Sequence, residues 1–151
     1  MALNTIWTIG YEHASVPTLI DTLTKAKIKR VLDVRELPNS RRAGFSKNML
    51  AASLDHAGIA YQHMKPLGTP KAGRDAAKRG DTETMHEIFE AKLEGPESQL
   101  ALAEAAALAH KQRTALLCLE HDWKVCHRAI VAQHLEAFGF TATHLAPDIN
   151  S

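Results

Sequence analysis

Short apolar runs recur along this chain, and each is followed by a stretch with helical spacing. That alternation constrains the fold more than any other feature. Thr5-Ile6-Trp7-Thr8-Ile9 is β-prone and stops at Gly10. Residues 30–34, 59–63, 114–119 and 141–145 are similar runs, too short for helices and bounded by turn residues. Between them lie helices with readable ends. Ser15 caps one that Pro17 helps start, with Leu19, Ile20 and Leu23 on one face. Ser46 caps a second, ending near Gly58. Asp81 caps a third over residues 82–93, and Gly95-Pro96 opens a long Ala-rich fourth that reaches His110. The last runs from Cys126 to Phe138 and closes at Gly139. Strands separated by helices pair in parallel and are covered on both faces. The predicted fold is α/β: a single domain over residues 1–151, three layers (α/β/α), with a mainly parallel sheet of about five strands.

At 151 residues the chain is long enough for one buried core. Its formal net charge of +1 gives no global signal for nucleic acid or membrane. Two cysteines do not make a disulfide framework and fit a reducing compartment as free thiols. No secretory pattern opens the sequence, and the apolar runs are far shorter than a membrane span. A cytoplasmic location without membrane partners is the expectation.

Open parallel sheets bind ligands beyond the carboxyl ends of their strands. Here the loops leaving those ends begin at Gly10-Tyr11, Arg35, Met64 and Glu120, and they carry the unusual residues. Asp33 ends an apolar run, so its carboxylate needs a partner, which Arg35 or Arg128 can supply. Arg35 leans toward the site, whereas Asp33 is equally well a structural anchor. In the loop 38–47, Ser40 and Arg41 are candidates for gripping an anion. Arg42 and Lys47 read as surface residues, and Phe45 either stacks on a base or plugs the core. Cys118 sits at a strand end, where nucleophiles of α/β enzymes sit, although inert packing is the commoner role of such a cysteine. Cys126, His127 and Arg128 arrive together at a helix start, where free N–H groups and positive charge favour a thiolate. His127 can serve as acid or base. Glu120 is either the general base or the partner that holds Arg128. Tyr11 and Tyr61 can reach the same cleft. Residues 65–80, interrupted by Gly68, Pro70, Gly73 and Gly80, read as a long loop, functional or mobile. No metal is expected: Cys118, His121, Cys126 and His127 lack a Cys-x-x-Cys pair, and adjacent Cys126 and His127 point apart on a helix. No cofactor is expected either.

Thr8-Ile9-Gly10-Tyr11, Asp33-Val34-Arg35 with Pro38, Ser40 and Phe45, Tyr61 with Leu67-Gly68, and Cys118-x-Glu120 ending in Cys126-His127-Arg128 form a joint pattern. It resembles the domain-of-unknown-function family DUF488 from about Thr5 to about Leu145. The resemblance implies a compact α/β domain with a site made of the matching residues, and no particular reaction. Trp123 stands near the place where the family pattern has a proline. Leu32-Asp33-Val34-Arg35-Glu36 and the order of Leu117-Cys118, Arg128, Gly139-Phe140 and His144-Leu145 are also similar to rhodanese-type sulfurtransferases. The active loop would differ, since Arg128 lies ten positions after Cys118 with no intervening Gly.

Three functions follow as alternatives. The first is an enzyme acting on a phosphate-bearing substrate, a nucleotide or nucleic acid. There Tyr11, Asp33, Arg35, Ser40, Arg41 and Arg128 would form the binding set, and Glu120, Cys126, His127 and Cys118 the catalytic set. The second is thiol-dependent sulfur transfer through Cys118 or Cys126. The third is a binding module without catalysis, whose Arg cluster recognises a small anionic ligand or nucleic acid.

Overall fold

The computed structural model describes residues 3–148. In chain order the elements are β1 (Thr5–Gly10), α1 (Val16–Lys25), β2 (Arg30–Asp33), α2 (Lys47–His56) and β3 (Ala60–His63). They continue with α3 (Lys71–Lys78), α4 (Thr82–Leu93), α5 (Pro96–Lys111), β4 (Thr114–Cys118), α6 (His127–Leu135) and β5 (Thr141–Leu145). Single 3-10 turns occupy Lys65–Leu67, Trp123–Val125 and Glu136–Phe138. The five strands form one parallel sheet in the order β3-β2-β4-β1-β5, as the strand–helix alternation predicts.

Two separate cores show why β1, β2 and β4 read as nearly continuous apolar runs. Trp7, Ile9, Val31, Ala115 and Leu117 face α1 and α2, packing on Leu19, Leu23, Leu50 and Leu54. Their neighbours Ile6, Leu32, Leu116 and Cys118 face the opposite layer, with Phe89, Ala105, Ile130 and Val131. Successive side chains of a strand alternate faces, so burying both faces leaves no polar stripe. Thr8 shares a face with Ile6, and its hydroxyl is satisfied there by the ring of His144 at 2.6 Å and by Arg128.

This winding places the site. The chain leaves β1 and β2 toward the α1/α2 layer, but leaves β4 toward the layer of α6. Since β4 lies between β1 and β2, the loops at its carboxyl end diverge from those on both sides. A crevice opens at such a switch point. Backbone bonds carry the sheet ladder into it: Tyr11 N–H donates to Cys118 O, Glu12 N–H to Leu119 O and Val34 N–H to Leu117 O, at 3.2, 2.7 and 3.1 Å.

Helix ends follow their local chemistry. Ser15 accepts from Thr18 N at 3.2 Å, and Asp81 from Thr84 N at 3.1 Å. Ser46 occupies an N-cap position but spends its hydroxyl on the loop instead, accepting from Ser40 N at 2.9 Å. One expectation fails. Residues 65–80 are not a long loop: they hold a 3-10 turn and α3. Gly73 is not a breaker, because a Cβ there would lie 2.4 Å from Thr69 Cγ2, and its absence lets α3 seat against the following helix near Ile88. The last helix is shorter than residues 126–138, with Cys126 as its cap and a 3-10 turn at its end.

Candidate functional site

The crevice is a cleft of about 760 Å³, bordered by Tyr11, Arg35, Arg41, Cys118, Glu120 and His127. That size suits a small organic ligand. Ser40 and Asn39 also border it. Arg74 and Lys78 of α3 border it too, and so does Glu12. The reading of residues 65–80 as loop gave these α3 side chains no direction, and Glu12 carried no pattern beyond its neighbour Tyr11.

Four chemically active groups meet here: Cys118, Glu120 and His127 border the cleft floor, and Cys126 lies buried behind it. Cys118 Sγ lies 3.5 Å from His127 Nδ1 and donates to Glu120 Oε2 at 3.6 Å. Cys126 Sγ is 4.0 Å from the same Nδ1. His127 Nε2 is 2.6 Å from the carbonyl oxygen of Val34. A carbonyl only accepts, so Nε2 carries a proton and Nδ1 is the nitrogen turned to the sulfurs. The expectation that Cys126 and His127 diverge is therefore corrected. It assumed both lie inside a helix, but Cys126 is the N-cap, with extended backbone (φ −107°, ψ 140°). From there its sulfur accepts from Arg128 N at 3.5 Å.

The two thiols differ in charge preference. Burial opposes ionisation of Cys126, but hydrogen bonds from Cys118 and His127 and the positive charges of His127 and Arg128 outweigh it, holding this thiol well below its usual range. Burial and the adjacent Cys126 push the Cys118 thiol up. Burial also opposes a charge on His127, yet its contact with Cys126 raises its pKa. Glu120 is pushed up to about 7, first by burial and then by the charge of Cys126.

The arginines divide sharply. Arg35 and Asp33 form a buried fork, Nε to Oδ1 at 2.9 Å and NH2 to Oδ2 at 2.7 Å. Arg35 NH1 donates further to Tyr11 OH and Phe45 O, at 3.2 and 2.8 Å. Asp33 also accepts from the Tyr61 hydroxyl. Asp33 is thus partnered by Arg35 and not by Arg128, and Arg35 reaches the cleft with most of its donors already engaged. Arg128 is fully buried and does not border the cleft. It donates to Thr8 Oγ1 at 3.2 Å, to Glu120 O at 2.5 Å and to His121 O at 3.4 Å. The carbonyl of Glu120, rather than its carboxylate, holds Arg128. Gly10 makes this approach possible: a Cβ there would lie 1.7 Å from Glu120 O.

Arg41 is exposed at the lip and has no hydrogen bond or ion pair among the described residues. Arg42 instead donates to Tyr11 O at 2.8 Å and to Ala14 O, and lies over the Phe45 ring. Phe45 is buried and stacks on Tyr11 at 4.6 Å, so it plugs the core and offers no face to a base.

A family model described as "Domain of unknown function DUF488" matches residues 15–135. The chain belongs to this family. No curated protein and no solved structure matches it. Membership fixes kinship without naming a reaction, so the chemistry of this DUF488 protein rests on its cleft. Among the described residues, no helix is long and apolar enough to cross a membrane.

Proposed function

We propose that the protein is an enzyme acting on a phosphate-bearing substrate, a nucleotide or a nucleic-acid end, bound in the cleft at the carboxyl ends of β1, β2 and β4. One observation carries this reading. Arg41 and Lys78 flank the lip of a cleft whose floor holds Glu120 and Cys118. Two cations from different elements supply the grip for phosphate oxygens, and a guanidinium can hold two at once. Glu120, half-buried at the floor, is the proton carrier. Arg35, Asp33 and Arg128 act as positioning residues, fixing Tyr11 and the Glu120 backbone.

The test is titration of the full chain with pyrophosphate and with a nucleoside monophosphate at low salt, followed by calorimetry. Arg41→Ala weakens binding by roughly 10- to 100-fold, the worth of a charge-assisted hydrogen bond. Glu120→Gln keeps affinity within a few-fold and abolishes turnover. Absence of any phosphate affinity, or equal affinity in Arg41→Ala, overturns the reading. If binding is retained and turnover never detected with either ligand, the site is that of a binding module.

Sulfur transfer is the second reading, favoured by the 3.5 Å approach of Cys118 Sγ to His127 Nδ1 at the cleft floor. Iodoacetamide should then alkylate Cys118 or Cys126 at neutral pH faster than a free thiol. Slower reaction of both removes this alternative.

A further inference from the structure

We infer that Cys118, Cys126 and His127 form a zinc site, with the fourth coordination position facing the cleft beside Glu120. Cys118 Sγ, Cys126 Sγ and His127 Nδ1 all lie within 4.8 Å of one another, and the two sulfur–nitrogen separations are 3.5 and 4.0 Å. Bonds of about 2.3 Å to sulfur and about 2.0 Å to nitrogen, set at tetrahedral angles, require ligand separations of roughly 3.5–3.8 Å. The three donors therefore need shifts of only a few tenths of an ångström for the sulfur–nitrogen edges.

The surroundings match a metal centre in three further ways. The His127 proton on Nε2 is held by the Val34 carbonyl, which orients a metal-bound imidazole and leaves the lone pair of Nδ1 to the cluster. The N–H of Arg128 donates to Cys126 Sγ, a bond that favours the thiolate form a metal needs. Two thiolates and one imidazole are borderline-soft donors, which suit zinc rather than magnesium or calcium. On binding, the Cys118 S–H proton and the proton shared between Cys126 and His127 Nδ1 go to solvent, and both sulfurs and Nδ1 bond to the ion, so two thiolates cancel the divalent charge.

The direction of the open position follows from exposure. Cys126 is wholly buried, whereas Cys118, His127 and Glu120 border the cleft. Three protein ligands with an open face toward a cleft are the arrangement of a catalytic rather than a structural zinc. Glu120 lies 3.6 Å from Cys118 Sγ, beside that face. The inference goes beyond the phosphate reading and does not depend on it, since metal binding is read without substrate.

Cobalt(II) serves as the probe. The reduced full-length protein is titrated with it anaerobically and followed by absorption. The expected result is one equivalent bound, with a thiolate-to-cobalt charge-transfer band and the strong visible bands of tetrahedral cobalt, both bleached by zinc. Cys118→Ser, Cys126→Ser and His127→Gln each weaken binding at least about 100-fold, more than loss of an outer partner costs. His134→Gln, on the far end of α6, leaves the spectrum unchanged. Should a cysteine variant fail to fold, the native chain still decides. Bound zinc protects both thiols from an aromatic disulfide reagent, and a chelator restores their reaction. Absence of the charge-transfer band in the reduced native chain, or thiols equally reactive with and without zinc, overturns the site. Loss of phosphate binding with cobalt binding intact would reject the phosphate reading alone.

Discussion

Removing one member of the Asp33–Arg35 pair tests whether Arg35 is a scaffold or a ligand group. Asp33 is 0% exposed and Arg35 6% exposed. The carboxylate accepts Arg35 Nε, NH2 and backbone N–H, at 2.9, 2.7 and 3.1 Å, as well as the Tyr61 hydroxyl. Arg35→Met removes the fork and leaves Asp33 buried with Tyr61 and one backbone donor. Breaking a buried ion pair by deleting one partner costs about 3–5 kcal/mol, much of it the uncompensated charge. That is a large share of a stability of roughly 5–15 kcal/mol for a domain of this size. Asp33→Asn removes the charge instead and strands the guanidinium, at a similar cost. In the double variant neither charge remains, so its loss falls well short of the sum, with a coupling energy of about 2 kcal/mol or more. Urea unfolding of the four proteins at neutral pH, followed by circular dichroism, gives all the terms. Coupling below about 0.5 kcal/mol, with Arg35→Met costing under about 1 kcal/mol, would refute a structural pair. Arg35 would then be a cleft cation whose burial serves a ligand.

Three further outcomes follow from the geometry. Gly10→Ala forces a Cβ to 1.7 Å from Glu120 O and 2.9 Å from Arg128 NH1, so urea unfolding should show a loss of at least about 2 kcal/mol. Glu36 bonds Arg74 at 2.6 Å and Lys92 at 3.2 Å; burial pushes its carboxyl up, but these two cations outweigh burial and hold it below its ordinary 4.5. Its stabilisation is therefore present above about pH 4.5 and lost as pH falls through the lower folded value. Glu36→Gln should cost about 1–2 kcal/mol at pH 7 and nearly nothing once native Glu36 is protonated, and a constant difference across that range would reject the assignment. Trp123 stacks on His144 at 4.0 Å, and burial, followed by the charge of Arg128, lowers the His144 pKa below 6.5. In a Trp7→Phe background, protonation of His144 should quench Trp123 fluorescence with a midpoint below 6.5, whereas a midpoint above it contradicts the stack with a neutral ring.

What could be read in the sequence was whatever depends on one element and its neighbours in the chain. Residues 30–34 and 114–119 read as strands because burying both sheet faces makes most of their side chains apolar. Ser15 and Asp81 read as caps because a cap acts within three residues. Residues 65–80 defeated that logic. Gly73 lowers helix propensity, yet tertiary packing against Thr69 and Ile88 requires it, and packing wins. With α3 unseen, Arg74 and Lys78 gave no sign of reaching the cleft. Tyr61 likewise depends on a partner, Asp33, that lies on a neighbouring strand.

The grouping of Cys118, Cys126 and His127 illustrates the same limit at finer scale. On a helix, consecutive side chains diverge by about 100°, which sets Cys126 and His127 apart. The first helical residue is His127, however, and the extended backbone of Cys126 breaks that rule by one position. That one-residue offset brings a thiol to 4.0 Å from the adjacent imidazole and lets Cys118, nine residues earlier, approach the same nitrogen. Arg128 fails as a predicted ligand group for a related reason. Its chain position promised a guanidinium at a helix start, but the side chain runs back under β1. There Gly10 leaves room for the Glu120 carbonyl to accept it. Among the described residues the buried Arg128 guanidinium bonds uncharged oxygens alone, and its positive charge helps hold the Cys126 thiol below its usual range, so Arg128 is tied to the chemistry of the cleft without entering it.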